Sequence, residues 1–425
     1  MLLRFGAANH GSINEYAELS LIASEAIKDS GPMLFEPEGL KERVLPVVLI
    51  YGANASGKTT VYTSLSTMRR HVLDSFTRTG PADPVFRRPF ALDPAAAKQP
   101  TRFDCDFLLD GIRYHFGFEA TDQEYTREWM YYFPGGNRRS LYYRDVQNPH
   151  IDFGKSLKGR NRAIEEFTRK NSLFLSAAAQ NAHPQLTQVF SYFSEKIQTV
   201  SAAINLTSIK KKLGQGIDSR ILQFLTRADT GIIAADVQKT SPSASQLELY
   251  KKIVTVINSQ LGENVSSEPP QEEVKISFGH AGITGDPVYL DFETESRGTV
   301  RLLDLLRGAL AVIDNGGVLI IDELDVSLHT LLALELVEMF SKTSTNKGQA
   351  QLIATTHDTN VLCSQSIRRD QIWFCEKSNV GATHFYPLTK IRTRNTDNLE
   401  KGYLQGRYGA IPYLGSVEAL LGLEQ

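Results

Sequence analysis

The chain carries a largely apolar run, Val44 to Ile50, followed after one residue by Gly52-Ala53-Asn54-Ala55-Ser56-Gly57-Lys58-Thr59 and a helix expected to open at Thr59-Thr60. This strand, loop and helix constrain the fold more than any other feature. Glycines are needed at both ends of such a loop because its backbone N–H groups must wrap phosphates, where a Cβ would obstruct the turn. The helix N-terminus adds partial positive charge. In this pattern Lys58 is expected to reach the β and γ phosphates, and the Thr59 hydroxyl to ligate Mg²⁺. The alternative, a glycine-rich turn with an exposed lysine, is disfavoured by the strand before the loop and the helix after it.

A second apolar run, Val318-Leu319-Ile320-Ile321, ends in Asp322-Glu323. Parallel strands present ligand-binding residues at their C-terminal ends. There Asp322 would hold Mg²⁺, directly or through water, and Glu323 would act as base for an attacking water. Strand-then-acid is common and weak alone. It gains weight from the helix end at Asn315 and Gly317, from Asp325-Val326-Ser327-Leu328-His329 just after it, and from the phosphate loop in the same chain.

At 425 residues the chain is long enough for two or three domains. Segments 1–60 and 103–143 read as mostly β, with Asp110-Gly111 and Gly135-Gly136-Asn137 as turns. From about 160 to 260 helical spacing dominates: 163–170, 186–200, 221–228 and 247–261. A polar break at 238–246 interrupts it, and a Pro269-Pro270 connector closes it. The last third alternates helix and strand, which argues a largely parallel sheet. The expected division is 1–155, a first lobe with the phosphate loop and a β subdomain; 156–265, a helical insertion; and 266–425, a second lobe.

Charge narrows the partners. Lys+Arg (46) nearly balance Asp+Glu (48), so no global basic field advertises nucleic acid. Three widely spaced cysteines, Cys105, Cys363 and Cys375, suit neither a disulfide framework nor a close-set zinc motif. No apolar run approaches the ~18–20 residues that span a bilayer, and the N-terminus lacks a secretory h-region. A cytoplasmic protein without membrane contact is expected.

The order of the phosphate loop, then Glu295-Ser296-Arg297-Gly298-Thr299, then Ile321-Asp322-Glu323-Leu324-Asp325, then Thr355-Thr356-His357-Asp358 resembles the ABC-type ATPases of the OLD, RecF and SMC group. It is most similar to the stand-alone AAA-type ATPases of bacterial abortive-infection and Rlo-type loci. The resemblance extends to Leu173–Ser176 and to the C-terminal 402–409. It implies an α/β P-loop head, with a mixed central sheet, an antiparallel β subdomain and a helical insertion. ATP and Mg²⁺ are implied as ligands. Ser296 and Gly298 would belong to the signature segment that contacts the γ-phosphate bound by a second protomer in a head-to-tail dimer. Read alone, Ser-x-Gly before an apolar helix is equally a simple N-cap. Asp325 matches the D-loop residue that crosses the dimer interface, and His357 the switch histidine. The signature is shortened to Ser-Arg-Gly-Thr, no Q-loop glutamine is fixed (Gln123 is one position considered), and Asn9-His10-Gly11-Ser12 replaces an Asn-aromatic-basic-Ser loop.

The resemblance implies an ATPase, slow if it serves as a clamp, in an anti-phage system. Too little chain separates or follows the motifs for a long coiled coil or a fused Toprim nuclease, so the effector is expected on a separate chain, often a Toprim-like nuclease. Nucleic acid contact would then be indirect. The alternative is a RecF-like DNA-binding repair ATPase. Arg138-Arg139, Tyr142, Tyr143 and Arg144, running towards Lys155, Lys158, Arg160 and Arg162, mix cations with aromatics as single-strand binders do. Lys210-Lys211-Lys212 is a second basic stretch. Either is more often a solvated face.

Overall fold

The computed structural model describes residues 1–27, 33–261, 273–364, 366–394 and 397–412. The chain divides into two units, Met1–Ala202 with Gly308–Gln425, and Ala203–Arg307. The Pro269-Pro270 connector lies outside the described residues.

The first unit opens with β1 (Leu2–Ala8), β2 (Ala17–Ser20), β3 (Val47–Tyr51) and α1 (Lys58–Asp74). Next come β4 (Thr101–Leu109), β5 (Ile112–Ala120), β6 (Tyr125–Phe133), β7 (Arg139–Asp145) and β8 (Asp152–Phe153). Seven of these strands make an antiparallel sheet in the order β2-β1-β4-β5-β6-β7-β8. Asp110 (φ 50°) and Gly111 (φ 73°) turn β4 into β5, the left-handed pair that an Asp-Gly hairpin requires. The sheet's inner face is aromatic: Phe107 stacks on Tyr192 at 4.4 Å, and Phe118 meets Tyr125 edge-on at 5.5 Å.

Helices α2 (Asn161–Phe167), α3 (Phe174–Gln180) and α4 (Leu186–Ser191) follow. The Leu173–Ser176 stretch starts α3, whose first amides, from Phe174 and Leu175, donate to the fully buried Glu128 carboxylate at 2.7 and 3.0 Å. A carboxylate there suits the positive end of the helix. The single helix expected over 186–200 does not form. It ends at Ser191, passes through one π-helical turn, and becomes β9 (Ile197–Val200). Ile197, Thr199 and Val200 are β-branched, and β9 finds a parallel partner in a strand far along the chain, which outweighs the local helical spacing.

The second unit contains α5 (Leu206–Leu213), α6 (Ser219–Arg227), β10 (Ile232–Thr240), α7 (Ala244–Leu261), β11 (Glu273–Ala281), β12 (Pro287–Asp291) and most of α8 (Arg297–Asn315). It is not purely helical. β10, β11 and β12 form an antiparallel sheet around Ile276, Phe278 and Phe292. β10 escapes sequence reading because its residues lack strict alternation and its partner β11 lies beyond an intervening helix.

The chain then returns to the first unit with β13 (Val318–Ile321), α9 (Thr330–Ser341), β14 (Gln351–Thr355), β15 (Ile372–Lys377), β16 (Thr383–Pro387) and α10 (Leu399–Leu404). They complete a six-stranded sheet in the order β16-β15-β3-β14-β13-β9, parallel except for the edge strand β16. All five residues of β3 are buried, as a strand covered on both faces must be. Gln351, fully buried, ties the two sheets: its Oε1 accepts from Leu2 N at 2.7 Å and its Nε2 donates to Leu2 O at 2.9 Å. The 402–409 stretch covers β15, with Tyr403 and Tyr408 stacked on Phe374 at 5.4 and 5.8 Å.

Candidate nucleotide site

The loop after β3 holds its shape through unusual backbone angles. Ala55 (φ 61°) and Gly57 (φ 107°) are left-handed, and Gly57 is the N-cap of α1 without a side-chain cap. A Cβ at Gly57 would collide with the Thr383 hydroxyl, and one at Gly52 with the Cys375 carbonyl. Both positions therefore need glycine. The Lys58 ammonium donates to Gly52 O at 2.8 Å and Ala53 O at 2.9 Å. Burial lowers its pKa, opposed by the thiol of Cys375 and the carboxylates of Glu323, Asp322 and Asp325. The Ser56 hydroxyl is buried and has no hydrogen-bond partner among the described residues.

Residues 54–60 form one wall of a cavity of about 590 Å³. Glu323 and His357 line it, as do Gly11, Ser12, Arg88 and Lys377. Glu323 follows β13 with φ 54°, a left-handed angle that is rare for a residue with a side chain, and its N–H donates to Thr355 Oγ1 at 2.8 Å. The same hydroxyl donates to Asp322 Oδ1 at 2.8 Å, and Asp322 is 3% exposed. One strand over, Asp325 Oδ1 accepts from Thr356 Oγ1 at 2.7 Å and from His357 N at 3.1 Å. Asp325 thus fixes the segment that carries His357. Burial, and then Lys58, pushes the His357 imidazole below its ordinary pKa, so at neutral pH the ring is neutral.

A chain of hydroxyls anchors the loop from behind. Thr383 Oγ1 lies 3.0 Å from Ser56 O and 2.7 Å from Ser12 Oγ, which in turn lies 2.8 Å from Thr60 Oγ1. The Asn9–Ser12 segment that sequence reading singled out therefore reaches the loop through Ser12. Asn9 is structural: its amide donates to the Ala96 and Gln99 carbonyls at 2.7 and 2.8 Å. Thr383→Val should leave the fold intact but weaken nucleotide affinity by about fivefold, since one anchoring bond contributes ~1 kcal/mol. Thr383→Ser should restore it; titration calorimetry on both variants checks the pair.

A family model described as "AAA domain, putative AbiEii toxin, Type IV TA system" matches residues 47–364, from β3 through the phosphate loop and Glu323 to just past His357. The chain belongs to this family. It is a P-loop ATPase of the AAA type, which implies nucleotide and, as a rule, Mg²⁺. No curated protein matches the chain. Among the described residues of this AAA domain no helix is long and apolar enough to cross a membrane.

The residues suit both ligands. The orphaned Ser56 hydroxyl, the uncapped start of α1 and the glycine cradle fit a phosphate. No group of three or more His, Cys, Asp or Glu among the described residues could cage a metal. Mg²⁺ is commonly held by one or two protein oxygens together with substrate phosphates; Thr59, which lines the cavity, and Asp322, just after β13, would supply them. Ser296 and Gly298 belong to the second unit. There Ser296 caps α8, its Oγ accepting from Thr299 N at 3.1 Å, and Gly298 sits in the first helical turn. Gln123 is exposed in the β5–β6 turn. Within the basic stretch at 138–144, Tyr142 is buried with its hydroxyl on Glu128 at 2.8 Å and Arg144 donates to Ser172 O at 2.8 Å, whereas Arg138 and Arg139 are exposed, Arg138 lying over the Tyr131 ring at 3.8 Å. Lys210 pairs with Glu293 at 2.5 Å. Sequence reading missed Arg88, Lys377 and Thr383.

Proposed function

We propose that this AAA domain binds and hydrolyses ATP as the switching subunit of an abortive-infection type defence system, within the OLD/Rlo-like branch of P-loop ATPases. The observation that carries the reading is the single cavity that gathers the phosphate loop, Glu323 and His357. In this reading Lys58 leaves the Gly52 and Ala53 carbonyls to take the terminal phosphates, while the N–H groups of the loop hold the rest. Glu323, its backbone fixed by Thr355, accepts the proton of the attacking water. His357, neutral and held by Asp325, offers a hydrogen bond to the terminal phosphate. Mg²⁺ held by Thr59 and Asp322 would neutralise charge developing on the phosphate oxygens.

Ser296 and Gly298, at the exposed start of α8, offer a second phosphate-ready helix N-terminus. This supports a head-to-tail dimer in which each protomer's signature segment, with Asp325 near the interface, closes the other's site. The dimer would hold or release a separately encoded effector of the Toprim nuclease type. The toxin–antitoxin wording of the family description supports a defence role. Light scattering on the full chain tests the dimer: Mg·ATP should double the mass, and an unchanged mass would sink it. In the native host, the protein should co-purify with the product of a neighbouring gene and protect against phage; neither outcome appearing would remove the defence role.

A further inference from the structure

The cavity has two sides, and sheet order tells them apart. β3, which feeds the phosphate loop, lies between β14 and β15. Glu323 and His357 follow β13 and β14, on one side of the loop. Lys377 ends β15 on the other side, paired with Thr383 of β16. If Glu323 and His357 mark the terminal phosphate, Lys377 stands towards the nucleoside.

Four residues line the cavity there or in the N-terminal loop: Gly11, Ser12, Arg88 and Lys377. Arg88 is fixed next to the loop by its backbone, its carbonyl accepting from Gly11 N at 2.6 Å. Gly11 has φ 57°, and a Cβ on it would come within 2.8 Å of the Thr60 methyl, so position 11 itself carries no side chain. Arg88, from a different segment, brings a cation beside this loop. Arg88 and Lys377 are exposed, and among the described residues neither side chain has a hydrogen bond or ion pair.

Among the described residues, none that lines the cavity is Phe, Tyr or Trp. A base bound here would lack the aromatic shelf that is worth roughly ten- to a hundredfold in affinity. Nor are donors and acceptors set to read a base edge. Of the four residues on this side, Gly11 has no side chain, the Ser12 hydroxyl is already engaged by Thr383 and Thr60, and the other two are exposed cations. Such groups recognise charge, not the difference between adenine and guanine.

We propose that Arg88 and Lys377 form a two-cation clamp on the nucleoside-side phosphates, and that the site selects the triphosphate rather than the base, accepting purine and pyrimidine nucleoside triphosphates alike. This rests on the nucleotide reading of the cavity. Calorimetry on the full chain with Mg²⁺ and ATP, GTP, CTP or inorganic tripolyphosphate tests it. The three nucleotides should bind within about fivefold of one another. Arg88→Ala and Lys377→Ala should each weaken all four ligands by a similar factor, about tenfold per lost charged contact, with Arg88→Lys recovering most of the loss. Preference for ATP over GTP beyond about thirtyfold would overturn the base-blind site. Unchanged affinity in both alanine variants would overturn the clamp, and loss confined to the nucleotides with tripolyphosphate unaffected would make Arg88 a base-stacking group instead. Lys58→Ala separates the two levels: if it binds ATP as wild type does, the cavity itself is misread, whereas its failure to bind beside a sharply ATP-selective wild type condemns only the clamp.

Discussion

Lys58→Ala is expected to weaken binding of Mg·ATP by at least about a hundredfold, as charge-assisted hydrogen bonds to phosphate are the strong kind, ~1.5–3 kcal/mol each. The native arrangement explains why the loss should appear as affinity rather than as unfolding. Lys58 is held by two loop carbonyls, Gly52 O and Ala53 O, and its pKa is already lowered by burial. Removing it deprives those carbonyls of one donor but also relieves a desolvated charge. The glycine and hydroxyl anchors at Gly57, Thr383 and Ser12 remain. Thermal denaturation without nucleotide should therefore move little, while the stabilisation that Mg·ATP confers on the wild type should vanish. A variant that still gains stability from Mg·ATP would show that Lys58 is not the phosphate ligand.

Glu323→Gln should behave in the opposite way, keeping affinity and losing turnover by about 10²–10⁴-fold, the usual contribution of a positioned base. Glutamine preserves the size of the side chain and leaves the left-handed backbone at 323, with its N–H on Thr355, undisturbed. Only the proton acceptor is removed. Single-turnover hydrolysis separates this from slow product release. Wild-type rates in Glu323→Gln would transfer the role of base to another group, and equal losses of affinity and rate would mean that Glu323 shapes the cavity instead.

Much of this site was legible because its chemistry is local in sequence. The phosphate loop needs glycine where the backbone is left-handed or crowded, and Gly52 and Gly57 meet both demands within six residues of chain. β13 and its two carboxylates are equally compact, because a strand buried on both faces must be continuously apolar and the first polar residues mark its end. The six-stranded sheet's order was not legible, since parallel partners are chosen by packing rather than by neighbours in the chain. β9 shows the cost: its four residues look like the last turn of a helix until β13 is in place beside them. β10 was hidden in the same way by its dependence on β11. The two cations of the cavity and the threonine behind its loop were invisible for a different reason. Thr383, Arg88 and Lys377 act singly, from three separate segments, and a lone threonine or cation carries no pattern.

The strand that feeds the phosphate loop has a further consequence for how the protein is made. β3 leaves the ribosome well before its two parallel neighbours, β14 and β15, which begin only at Gln351 and Ile372, and the hydroxyl that wedges the loop arrives with Thr383. At about 5–20 residues per second, the apolar Val47–Tyr51 segment waits roughly 15–60 s for either partner. Throughout that interval the loop can be synthesised but not shaped. A chain stalled or cleaved before β14 would carry the complete phosphate-binding motif and still be blind to nucleotide, with a bare, wholly apolar strand offered to chaperones or to other nascent chains.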